Sequence, residues 1–190
     1  MKILTTIVLT LLLAAVAALG YVYSGAFDVA ADQPHGALGS WLAETTREHS
    51  IAVRSKHIEV PDLGASTLIA QGAGEYAEMC AGCHLAPGVE DNEFRQGLYP
   101  VAPDLAEPEH RHNDATAAAR QFWIVKHGIK MSAMPAWGLT HDDATLWSIV
   151  AFLRKLPELT PEQYAQMTAS SAAHEGPGHE HGGDVHGGED

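Results

Sequence analysis

Apolar and polar positions divide the chain into regimes with different periods. Behind Met1 and Lys2, residues 3–23 carry no charged side chain. At about 1.5 Å rise per residue, that run spans roughly 30 Å as a helix, the thickness of a bilayer's hydrocarbon core. A cleaved secretory signal has a shorter apolar region ending in a small-x-small site. Ala15-Val16-Ala17 offers one, but cutting there leaves an apolar stub to Tyr23. The expectation is therefore a retained transmembrane anchor over 1–23. Tyr21 and Tyr23 suit an interfacial aromatic belt. With Lys2 before the span and Asp28 and Asp32 after it, the rest of the chain faces away from the cytoplasm, toward the periplasm of an inner membrane.

Residues 24–65 form a juxtamembrane segment. Between Pro34 and Lys56, Leu38, Trp41, Leu42 and Thr45 recur at helical spacing, followed by Ile51, Ala52 and Val53. A helix here ends near His57 and before Pro61. It serves as a spacer packed on the following domain, or as a docking surface for partner proteins. A core domain is expected over 66–158. Gly72, Tyr76 and Cys80 share one helix face, four residues apart. Residues 85–113, rich in Pro, Gly and Asp, read as loop. Asp114 to His127 reads as a helix ending at Gly128, with Phe122, Trp123 and Val125 available for burial. Thr140-His141-Asp142-Asp143 caps a last helix whose apolar stripe is Leu146, Ile149, Val150 and Leu153, stopped by Pro157. Residues 159–190 form an appendage. Thr160-Pro161-Glu162-Gln163 is a capping box that opens a short helix to about Ala172. From His174 to Asp190 the composition cannot bury a core and predicts disorder.

Chemistry enters at Cys80-Ala81-Gly82-Cys83-His84. C-x-x-C-H is the attachment motif of a c-type haem. Two thiols three residues apart reach two vinyl groups, and the following His supplies a proximal nitrogen to the iron. Zinc and a thioredoxin-like dithiol are the rivals. Zinc needs two further ligands and the chain has no other Cys; a redox dithiol does not need the His. The second axial ligand is sought among the Met residues, because a soft, neutral thioether raises the reduction potential. Met134 lies in a Met-Pro-Ala-Trp loop between the two downstream helices, stiffened by Pro135. Met131 is the competitor. Met79 lies at the attachment helix and Met167 in the tail, and all of these can instead be packing residues.

Cys80 to His84, the Met134–Trp137 loop and the amphipathic helix after it resemble a class I c-type cytochrome over about residues 66–158. The stretch from Ile124 to Trp137 is similar to the membrane-anchored bacterial monohaem type. The resemblance implies an all-α cytochrome c fold around one covalently bound haem c, with an N-terminal transmembrane helix. It implies that the Gly72/Tyr76 face crosses the last helix near a right angle, with Trp147 or Phe152 as aromatic partner. It also implies that the Pro103 carbonyl, in Ala102-Pro103-Asp104-Leu105, accepts from His84 Nδ1 and fixes the imidazole. It says nothing of residues 24–65 or of the tail.

A formal net charge of −13 argues against nucleic acid as a partner. In the tail, His174, His179, His181 and His186 are interleaved with acids and glycines. Such a tract holds Zn, Cu or Ni weakly, or is simply a solvated acidic extension. His35, His49, His57, His110, His112, His127 and His141 read as surface or capping residues. The function expected is one-electron transfer to redox partner proteins in a periplasmic respiratory chain, by a carrier rather than an enzyme. The alternatives are a haem subunit of a larger periplasmic dehydrogenase or oxidase complex, and a periplasmic metal-binding protein that uses the tail.

Overall fold

The structure is a computed structural model and describes residues 2–111 and 114–172. Among them every regular element is helical, as the fold class anticipated. Helix α1, Lys2–Tyr23, is exposed along its whole length and is long and apolar enough to cross a membrane. Helix α2, Ala37–Ser55, packs on α6, Ala115–His127, through the buried Ile51 and Ser55 and a Glu48–Arg120 ion pair. Its stripe Leu38, Trp41 and Leu42 does not reach the domain and stays exposed.

Helix α3, Ser66–Met79, packs on α7, Asp143–Leu153. Gly72 is what lets them meet: a Cβ there would lie 1.9 Å from Ser148 O. One turn on, the Tyr76 ring meets Phe152 at 5.4 Å between centroids. Of the two aromatic candidates, Phe152 takes that place. Trp147 stacks instead on Phe122 of α6, 4.0 Å away and 9° from parallel. The core between α3, α6 and α7 is formed by Tyr76, Phe122, Leu146, Ile149, Val150, Phe152 and Leu156 with their smaller neighbours.

Local signals explain most helix ends. Asp114 and Asp142 accept from the backbone N–H three residues on, at 2.8 Å each, and so cap α6 and α7. Helix α7 stops at Leu153, before Pro157, which sits in a 3-10 turn over Leu156–Glu158. Thr160 and Gln163 exchange both capping-box bonds at the start of α8, Pro161–Ala172. Helix α8, grouped with the tail from its sequence, lies against α3, with Tyr164 and Met167 packed on the core. His112 and the tail histidines, His174, His179, His181 and His186, lie outside the described residues.

The loop expected over 85–113 is not wholly irregular. It contains a one-turn helix α5, Glu93–Gln96, capped by Asn92, and a 3-10 turn at Pro108–His110. Asn92 before an acidic first turn is an N-cap pattern; the surrounding turn residues concealed it.

Candidate functional site

Cys80 ends α3 and is buried; Cys83 and His84 belong to the one-turn helix α4, Ala81–His84. Both thiols are free rather than paired in a disulfide. Burial pushes the Cys80 thiol up to about 12, with Cys83 and Glu75 adding to the effect. The site therefore favours an uncharged sulfur. An uncharged sulfur at this position suits a thioether. Among the described residues, no three His, Cys, Asp or Glu side chains group as a metal site.

The His84 ring is oriented by the backbone. Its Nδ1 lies 2.9 Å from Pro103 O, the bond expected from the family likeness. In the tautomer protonated at Nδ1, the Nε2 lone pair is free for iron. Burial holds the imidazole below its ordinary pKa. The charges of Arg95 and His110 act in the same direction, while the Pro103 bond and Asp104 oppose it. A neutral imidazole is the ligating form.

Two loops hold this arrangement. Directly after His84, Leu85 takes φ +62°, a region costly for a non-glycine residue. The turn is held by the buried Tyr76 hydroxyl, which donates to Leu85 O at 2.7 Å, and by Leu105 N–H, which donates to His84 O at 3.1 Å. On the other side, Arg95 reaches back from α5. Its Nε–H donates to Ala102 O at 2.8 Å and its Nη1 pairs with Asp91 at 3.0 Å. Asn92 joins the same network: its side-chain carbonyl accepts from Arg95 N–H at 2.9 Å and its amide donates to Gly82 O at 3.2 Å. Asn92 and Arg95 thus connect the Cys-x-x-Cys turn to the residue before Pro103. Neither stood out in the sequence, since no spacing rule links them to a haem motif.

Met134 lies in the loop between α6 and α7, half-buried against the core that includes Cys80. Its backbone is held at both ends. Its N–H donates to Ser132 Oγ at 3.2 Å, and its carbonyl accepts from Ile129 N–H at 3.2 Å. Gly128, at φ +63°, starts the loop, and a Cβ there would lie 2.7 Å from Met134 O. Met131 points away: it is 96% exposed. Met79 and Met167 both pack on the core. A separate open groove of about 700 Å³, between residues 85–91 and Pro161, is lined by none of Cys80, Cys83, His84 or Met134.

The donor set thus fits a haem on chemical grounds. It offers two free thiols on one turn, a backbone-oriented neutral imidazole beside them, and a positioned thioether against the same core. All-α packing around a C-x-x-C-H turn defines the class. Residues 67–153 match the family model described as cytochrome C oxidase, cbb3-type, subunit III. The match supports a class I c-type cytochrome domain over those residues, and such a domain implies covalently bound haem c. The match leaves residues 1–66 and 154–190 outside it. The comparisons with curated proteins and with solved structures return no match.

Proposed function

We propose that this chain is a one-electron carrier held on the periplasmic face of the inner membrane by α1, passing electrons between respiratory partners. Cys80 and Cys83 would hold the haem as thioethers, with His84 Nε2 and the Met134 sulfur as axial ligands. Bound in this way, the group supplies a one-electron iron couple. The residues' own tasks are to orient and to exclude. Pro103 fixes the His84 ring, the 128–134 loop fixes Met134, and the packed core keeps water from the Cys80 sulfur. With His84 and Met134 both holding the iron, no position would be left on it for a substrate.

The observation that carries the reading is His84, its Nδ1 engaged by Pro103 O, directly after two free thiols on one turn. The test is the long-wavelength charge-transfer band of a ferric His/Met haem. Met134→Ala should abolish it and Met131→Ala should leave it intact; the reverse would move the ligand to Met131.

The description of the matched family supports a second reading, a haem subunit of a larger oxidase or dehydrogenase. Native electrophoresis in mild detergent separates the two. A subunit migrates with its complex, and a carrier migrates alone.

A further inference from the structure

Helix α2 carries apolar residues on two opposite faces. Its inner face is fastened to the domain by Ile51, Ser55 and the Glu48–Arg120 pair. At about 100° per residue, Leu42 and Leu38 project roughly opposite Ile51, and Trp41 flanks them. They are 57%, 75% and 61% exposed. Residues 33–43 contain no Lys, Arg, Asp or Glu. None of the described residues covers this face.

We infer that the N-terminal half of α2 lies in the lipid–water interface of the bilayer that α1 enters, and docks the cytochrome domain on that surface. The inference rests on the proposal that α1 spans the membrane. Continuity names the occupant. Only residues 24–36 separate α1 from α2, a connection of at most about 45 Å, so the exposed face is never far from lipid. The connection itself exposes Phe27 and Val29. Trp41 has the amphipathic ring favoured at headgroup level, as do Tyr21 and Tyr23. With a net charge of −13, attraction to anionic headgroups is not the driving force; apolar insertion is. The docked end is also tied to the site. His35 N–H donates to Tyr99 Oη at 2.8 Å and its ring meets Tyr99 edge-on, in the loop that leads to Pro103. Membrane contact through α2 therefore sets how the haem domain faces its partners.

The test uses the full-length holoprotein in phosphatidylcholine vesicles containing a lipid with a diazirine on its acyl chain. After illumination, adducts are mapped by mass spectrometry. The peptide spanning residues 37–43 should carry several-fold more adduct than the one around the exposed Glu109. The triple substitution Leu38→Ser, Trp41→Ser, Leu42→Ser should remove that excess while the adducts in α1 remain. Adducts confined to α1 overturn the docking of α2, as do chain-to-chain cross-links at Trp41 in place of lipid adducts. Absence of adducts from α1 itself overturns the anchoring proposal instead.

Discussion

At the residue scale, the site depends on side chains that touch no reacting atom. Arg95 is the clearest case, because it is largely buried and holds Ala102 O next to the carbonyl that orients His84. Arg95→Gln loses a charge-assisted bond and leaves a backbone carbonyl short of a partner, a cost of about 1–3 kcal/mol. Denaturant unfolding of the holoprotein should show that loss, and amide exchange over 99–105 should quicken. A variant as stable as the parent, with unchanged exchange, contradicts the role. Arg95 was not legible in the sequence, because its partner is a main-chain oxygen seven residues away. Cys80, Cys83 and His84 were legible because their spacing is dictated by covalent chemistry. Met134 stood between: the loop pointed to it, but its clamping by Ser132 and Ile129, and the exposure of Met131, needed coordinates.

At the element scale, the domain is organised by one close approach, α3 on α7. Gly72 faces Ser148 O, and backbone on one side leaves nothing flexible to move. Gly72→Ala should destabilise by about 3 kcal/mol or more, toward the upper end of overpacking costs. Since Cys80 ends the same helix, the axial band should broaden or weaken in step. Thermal unfolding monitored at the Soret band checks this, and a fully stable Ala variant is the contrary result. Elements whose signals are local were readable beforehand: the caps at Asp114, Asp142 and Thr160, and the period of α7. Those decided by tertiary partners were not. Periodicity showed that α2 is amphipathic, yet Ile51 rather than Leu38 and Leu42 faces the domain. Helix α8 looked like an appendage because its few apolar residues, Tyr164 and Met167, acquire meaning only against α3.

At the scale of the whole molecule, a helix long and apolar enough to cross a membrane, a second helix packed on the domain, the cytochrome c domain and an acidic His-rich sequence follow one another along the chain. The tail from 174 to 190 should be dispensable for electron transfer, since its composition builds no core. It should still hold a divalent transition ion weakly, because ordering a sequence so rich in glycine costs conformational entropy. That affinity should fall as pH drops through about 6.5, where imidazoles protonate and cease to ligate. Calorimetry with Zn on full-length and truncated protein checks both points; equal heats remove the metal role. The central claim is that one covalently held iron, closed on both faces by this chain's own side chains, exchanges single electrons. Spectroelectrochemical titration of the full-length holoprotein, run under nitrogen and again under carbon monoxide, tests it most directly. The account predicts a single one-electron wave with the same midpoint under both gases. A midpoint pulled upward by carbon monoxide reveals an open iron site and contradicts it, as does more than one wave.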